Sequence, residues 1–246
     1  NDIINNNLDQ FIFAKDMEAL EEIEKIKIVQ ELIESLPNNS VLKPWGDHFF
    51  YQKSIISNIQ TLKRENISPK RLKKLIQHHQ NFLRNSTLQY EKLKSLRASK
   101  TLESELLEIV SSLLKIDLSK SLNTLFSYHL ELYKNNFYTS GRAKNPAVNF
   151  KNALIKIFDN LKKQTPKQLE LHTIYKKYQK KLEQIGRYDF DDMILFVLNK
   201  FKKDKNFLLV VQEQFQYILV DEYQDTNSSQ NQILELLLSK AAGSKT

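Results

Sequence analysis

Residues Tyr217–Gln230 read YILVDEYQDTNSSQ. Four mostly apolar residues, Tyr217–Val220, run directly into two carboxylates, Asp221 and Glu222. A short apolar run bounded by polar residues predicts a buried strand. In an open α/β sheet, ligands bind at the carboxyl ends of the strands, which is where Asp221 and Glu222 would stand. Successive side chains leaving a strand point in different directions. One carboxylate can therefore hold a magnesium ion that bridges phosphates while its neighbour orients and deprotonates a water. The same pattern also describes an ordinary acidic loop after a strand, and these six residues leave both readings open. Directly downstream, Asn227-Ser-Ser-Gln230 has the spacing of a capping box and predicts a helix to about Ser239.

Away from this stretch the apolar spacing is helical. Leu20, Ile23, Ile26, Val29 and Ile33 recur at steps of three and four, and Ile55, Ile56, Ile59 and Leu62 mark a second helix. Ser68-Pro69 supplies an N-cap and a proline at the first helical position. Further helices are expected over 102–116, 119–135 and 147–163. Thr165-Pro166-Lys167-Gln168 has the form of another capping box, so a separate helix is expected from 166 to 184, ended by Gly186. Asp189 then caps a helix through Lys202. With only four glycines and five prolines in 246 residues, the fold class is mainly α, with one or few short strands near the end.

The chain carries Lys+Arg 37 against Asp+Glu 29, a net charge of +8, and spreads it unevenly. Asp2–Glu34 holds nine acidic and three basic residues. Lys63–Lys100 holds eleven basic and two acidic, and Lys151–Lys181 nine basic and two acidic. One lysine-rich helix reads as a solvated face; two such segments point to a polyanion partner. Lys63, Arg64, Lys70, Arg71, Lys73 and Lys74 gather at one helix start, an end that itself attracts phosphate. They are the first candidate contacts to such a polyanion. Leu132–Pro146, LYKNNFYTSGRAKNP, interleaves Tyr133, Phe137 and Tyr138 with Lys134, Arg142 and Lys144. It reads either as a surface that stacks bases and grips backbone or as core aromatics at a helix end. The acidic N-terminal helices offer a surface to a protein partner. Trp45, between Pro44 and Gly46, is expected to anchor a turn by packing. His78 and His79 are adjacent and cannot share a helix face, and no second ligand pair is spaced for a metal.

The absence of cysteine excludes disulfides and thiolate zinc sites and fits a reducing, cytoplasmic setting. No run of about eighteen apolar residues offers a membrane span, and no leader is expected. The chain starts at Asn1 and first reaches methionine at Met17, so it is expected to be a piece of a longer protein.

The string VDEYQDTNSSQ resembles motif II of the UvrD/Rep-like superfamily 1 DNA helicases, in which Asp-Glu-x-Gln-Asp-Thr-Asn is followed three residues on by Gln. Asp221, Glu222, Gln224, Asp225, Thr226, Asn227 and Gln230 all match. The family also carries an Asp-Phe-Asp-Asp-Leu segment some thirty residues upstream, present here as YDFDDMI, Tyr188–Ile194, with Met for Leu. ISNIQTLKRENISP, Ile56–Pro69, is similar to the family's first arm-domain helices. The resemblance implies an inserted helical, 1B-like arm over 1–186 with an acidic N-terminal extension. Residues 187–246 would be the returning part of a RecA-like motor domain, 1A, with its Walker B strand. Asp221 would bind Mg²⁺, Glu222 would activate the attacking water, and Gln224 and Asp225 would link the nucleotide site to neighbouring motor elements. Asp189 and Asp192 are read as a cap and its first-turn partner.

A phosphate cradle requires Gly-x-x-x-x-Gly-Lys-Ser/Thr, and no pair of Gly46, Gly141, Gly186 and Gly243 has that spacing. The tail Gly243–Thr246, GSKT, has Ser244 where the lysine belongs. The expectation is therefore a parent helicase that hydrolyses ATP with Mg²⁺ at single-stranded/duplex DNA junctions, and a chain that binds and hydrolyses no nucleotide by itself. Two alternatives stand beside it: the helicase subunit of a helicase-nuclease recombination enzyme, and a non-catalytic DNA or protein interaction module.

Overall fold

A computed structural model describes residues 2–7, 9–11, 17–116, 120–135, 138, 145–215 and 217–239. Arg142, Lys144 and Phe137 lie outside the described residues. The chain forms α1 (Asp2–Asn5), β1 (Glu18–Ala19), α2 (Glu22–Glu34), α3 (Gln52–Arg64), α4 (Pro69–Asn85), α5 (Thr87–Ser95) and α6 (Leu102–Leu114). It continues through α7 (Lys120–Lys134), α8 (Pro146–Gln184), β2 (Arg187–Tyr188), α9 (Phe190–Lys203), α10 (Lys205–Gln214) and α11 (Ser228–Leu238). The mainly α class expected from composition is the one observed.

Two compact units divide the chain, one of residues 1–70 with 171–246 and the other of 71–170. These units are defined by packing, whereas the expected arm and motor segments are defined by family resemblance. The 71–170 unit is built on Leu93, Leu102, Leu106, Val110, Leu113, Phe150 and Leu154, with an aromatic nest of Phe82, Phe126 and Phe158. Phe82 stacks on Phe158 with centroids 5.4 Å apart. Tyr90 closes the nest, donates its hydroxyl to Asp159 Oδ1 at 2.5 Å and lies under the Lys162 ammonium at 3.6 Å. That hydrogen bond to a carboxylate pushes the Tyr90 phenol up to about 12. Tyr133 and Tyr138 turn inward here: Tyr133 stacks on Phe150 at 4.6 Å, and the Tyr138 hydroxyl lies 2.5 Å from His129 Nδ1.

The other unit buries Ile4, Phe11, Val197, Phe201, Phe207, Leu208 and Val211, with Ile233, Leu236 and Leu237 of α11 laid against them. Its acidic N-terminal segment meets the unit's own cations. β1 pairs parallel with β2, Glu18 opposite Arg187 and Ala19 opposite Tyr188. Arg187 reaches Glu18 at 2.5 Å and Glu24 at 3.5 Å, and Lys181 reaches Glu31 at 3.5 Å.

Four expectations are corrected. Tyr217–Val220 is not a strand: among the described residues the pairing strands are β1 and β2. Tyr217 is 87% and Leu219 96% exposed. Strand conformation depends on hydrogen-bonded neighbours and a buried parallel strand on cover over both faces, and no described residue supplies either. Thr165-Pro166 starts no new helix. α8 runs unbroken from Pro146 to Gln184 with Pro166 inside it, and the Thr165 hydroxyl donates back to Leu161 O at 2.6 Å rather than capping forward. Buried residues flank the proline on both sides, from Phe150, Leu154 and Phe158 to Ile174, Tyr175 and Tyr178. Their burial outweighs the roughly 3 kcal/mol a proline costs in a helix interior. Trp45 packs against nothing much, being 96% exposed. Leu42 and Lys43 take the inward places, and the Lys43 ammonium binds Glu34 at 3.0 Å while Gly46, at φ +91, turns the chain away. Ile23 of the first stripe is exposed, and Ile28 is buried in its stead.

Candidate functional site

The loop from Asp221 to Thr226 stands on the surface, with Asp221, Glu222, Gln224 and Asp225 all exposed. Glu222 adopts the left-handed conformation, φ 48 and ψ 46, which a side chain with a Cβ enters at a cost. The following Tyr223–Asp225 close a 3₁₀ turn in which Asp225 N–H donates to Glu222 O at 2.9 Å. Glu222 N–H donates to Asp221 Oδ1 at 2.9 Å, and the Gln224 side-chain amide donates to Glu222 Oε2. Thr226 Oγ1 lies 2.7 Å from Tyr223 O and 2.6 Å from Asn231 Oδ1, tying the turn to α11. α11 begins as expected: Asn227 Oδ1 accepts from Gln230 N–H at 3.0 Å and Gln230 Oε1 accepts from Asn227 N–H at 3.0 Å.

This arrangement presents two carboxylates to solvent with different hydrogen-bond partners. Asp221 has one oxygen committed to a backbone N–H and the other open, and Glu222 is steadied by Gln224. Mg²⁺ is a hard cation that accepts one or two carboxylates and fills its shell with water and phosphate oxygens. Asp221 fits that donor chemistry as a single oxygen ligand. No group of three or more acidic or histidine side chains able to cage a metal occurs among the described residues.

The basic candidates separate. Lys70, Arg71, Lys73 and Lys74 are exposed on the first turns of α4, opposite the buried Leu72 and Ile76. Arg64 is half exposed and gives its Nε to Asp191 Oδ1 at 3.1 Å. Lys63 does not belong with them. Its side chain is fully buried, and its ammonium sits 2.5 Å from Asp189 Oδ2 and 2.8 Å from Asp192 Oδ1. A phosphate in solution cannot reach it.

Lys63 instead centres a cluster that the sequence reading missed. Asp189 and Asp192 form the capping box of α9, as expected, with Asp189 Oδ1 accepting from Asp192 N–H at 3.1 Å. Tyr178 donates its hydroxyl to Asp189 at 3.3 Å and places its ring 5.1 Å from the Lys63 ammonium, while Gln179 donates to Asp192 at 3.2 Å. Burial works to raise the Asp189 carboxyl but is outweighed by the charge and hydrogen bond of Lys63, so Asp189 titrates below the ordinary range. For Asp192, burial and the Asp189 charge together outweigh Lys63, and its carboxyl is raised. Burial likewise pushes up the Tyr175 and Tyr178 phenols. One sequence signal could have found the cluster. Lys63 continues the stripe of Ile55 and Ile59 at steps of four, the buried face of α3.

Comparison with known proteins agrees with the motif. The chain is 46% identical over 68 residues to "ATP-dependent DNA helicase PcrA" of Staphylococcus epidermidis, and equally to the protein of that name in Staphylococcus aureus. Each match covers 28% of this chain and only 9% of the relative's length. No solved structure matches the chain. The family model for the UvrD/REP helicase N-terminal domain matches residues 93–243, more than half of the chain. A surface turn that presents Asp221 and Glu222 ahead of a capped helix, inside a stretch of that extent, places this chain in the UvrD/REP helicase N-terminal domain family.

Proposed function

We propose that this chain is part of an ATP-dependent DNA helicase, contributing a helical, 1B-like arm over 1–186 and the returning part of a RecA-like 1A motor domain over 187–246. The observation that carries the reading is the Asp221–Gln230 turn, where two adjacent carboxylates are held apart in direction by the Glu222 backbone and the Gln224 amide. Asp221 would hold Mg²⁺ through its second carboxylate oxygen, and the ion would supply positive charge to the phosphates of ATP. Glu222 orients the attacking water and takes its proton, and Gln224 keeps the Glu222 carboxylate aimed. Asp225, on the same turn, would link the nucleotide site to the neighbouring motor elements.

DNA is the partner on the arm. Lys70, Arg71, Lys73 and Lys74, and also Arg64, neutralise phosphates without reading sequence, and a single-stranded/duplex junction is the proposed substrate. Arg142 and Lys144 are further candidates for the same role. The 246-residue chain by itself turns over no ATP, because it has no glycine-rich cradle for phosphates. No helix among the described residues is long and apolar enough to cross a membrane, and a cytoplasmic location is proposed.

The test is Glu222→Gln in the full-length helicase. Removing a general base lowers ATP turnover by about 10²- to 10⁴-fold, with nucleotide still bound. Turnover at the unaltered rate would refute the assignment, and Mg²⁺-dependent turnover by the purified 246-residue chain would refute the claim that it is inactive alone.

A further inference from the structure

The turn that carries Asp221 and Glu222 makes its hydrogen bonds within itself, from Glu222 to Asp221, Gln224 to Glu222 and Asp225 to Glu222. Its tie to the rest of the unit passes through Thr226 to Asn231 and through the Asn227 cap, both on α11. The placement of the two carboxylates is therefore set by where the first turn of α11 is held. Ser229, 1% exposed, is the buried residue of that turn, and its hydroxyl donates to Lys63 O at 2.9 Å. One turn further on, Gln232 Oε1 accepts from Asn66 Nδ2 at 3.1 Å and from Lys202 Nζ at 2.6 Å.

Lys63 is thus gripped at both ends. Its ammonium is fixed between Asp189 and Asp192 at the start of α9. Its carbonyl lies at the C-terminus of α3, where it accepts from Asn66 N–H at 2.9 Å and also receives the Ser229 hydroxyl. Asn66 holds its own place just beyond, in the left-handed conformation at φ 51 that asparagine tolerates. Because the Lys63 side chain cannot move without leaving two buried carboxylates unpaired, the carbonyl it carries is a rigid socket.

We propose that Lys63 is a positioning residue for nucleotide hydrolysis. Its anchored backbone receives Ser229 and so fixes α11 and the Asp221–Glu222 turn; this rests on the hydrolytic role proposed above for that turn. Ser229 is the exchangeable half of the contact, and its side chain is buried while the two carboxylates stand on the surface.

The experiment is steady-state ATP hydrolysis by the full-length helicase carrying Ser229→Ala or Ser229→Thr, with Glu222→Gln alongside, assayed well below each variant's thermal midpoint. One lost hydrogen bond felt in the transition state corresponds to a fall of about three- to tenfold in kcat. Ser229→Ala should show that fall with KM for ATP unchanged, and Ser229→Thr, which keeps the hydroxyl, should restore kcat. A purely structural role would lower the midpoint of Ser229→Ala and leave kcat alone, which would overturn the proposal. Equal losses in the Ala and Thr variants would overturn it too, since the hydroxyl would not be the carrier. If Glu222→Gln is inactive while Ser229→Ala is normal, the positioning claim fails by itself. If Glu222→Gln turns over ATP normally, the hydrolytic reading fails first.

Discussion

Replacing Lys63 by Met isolates what the buried charge does for the fold. Methionine keeps most of the stem's length and apolar contact, so the perturbation is the loss of a cation held 2.5 and 2.8 Å from two carboxylates. Asp189 and Asp192 are 5% and 4% exposed, so neither can turn to water for compensation. Removing one partner of a buried ion pair typically destabilises by about 3–5 kcal/mol, a large share of the roughly 5–15 kcal/mol that holds a domain folded. In the unaltered protein, the lowered Asp189 carboxyl contributes stability above its unfolded value near 3.8, lost as pH falls through the folded value. Without Lys63 the sign reverses for Asp189, while Asp192, already raised, is raised further. Both carboxyls are then raised in the folded state, so folding is favoured below the unfolded value and weakened as pH rises through the folded ones. The gap between Lys63→Met and wild type should therefore be wide at pH 8 and shrink on acidification. Urea unfolding followed by far-ultraviolet circular dichroism at several pH values measures it. Lys63→Met combined with Asp189→Asn and Asp192→Asn should recover much of the loss, because asparagine caps helices about as well as aspartate. A loss below about 1 kcal/mol at pH 8, or one that does not change with pH, would contradict the buried ion-paired state, given the cost expected of such a pair.

Pro166→Ala should stabilise the 71–170 unit by about 1–3 kcal/mol in the same denaturation experiment, since Pro166 is exposed inside a continuous helix and its replacement restores a backbone donor. Tyr90, raised to about 12, keeps its proton in the folded state while the unfolded chain loses it near 10, so stability should fall as pH rises between those values. Tyr90→Phe should show a shallower decline in alkaline thermal melts, the remainder coming from the other raised tyrosines. Fluorescence-anisotropy binding of the chain to a tailed duplex should weaken with salt, each neutralised phosphate adding about −0.9 to the slope of log K against log salt. Exchanging Lys70, Lys73 and Lys74 for Gln should flatten that slope, Lys63→Met should leave it unchanged, and no binding at low salt would make these lysines solvated faces only.

What could be read from the chain was local in origin. The caps at Asp189 and Asn227 use partners three residues away and form as their spacing requires. Gly186 ends α8 in the left-handed conformation, φ 63, that glycine adopts freely. The motif residues Asp221–Gln230 carry the family resemblance by themselves, because their order is itself the signature. The same local logic misplaced Thr165-Pro166, where burial of the helix on either side outweighed the proline, and Tyr217–Val220, where a strand signal met no strand to pair with among the described residues.

Sequence alone determined that the chain is mainly helical, where most helices begin, and which two carboxylates stand together on the candidate hydrolytic turn. Each of those follows from residues within one helical turn or one motif. Tertiary structure alone decided which charges face water. Lys63 and Arg64 are neighbours in one basic run, yet Lys63 is sealed against carboxylates 126 and 129 positions away while Arg64 stays half exposed. A charged side chain reads the same in sequence whether it meets solvent or a buried partner. The difference lies in desolvation and pairing across the fold, which no local pattern encodes.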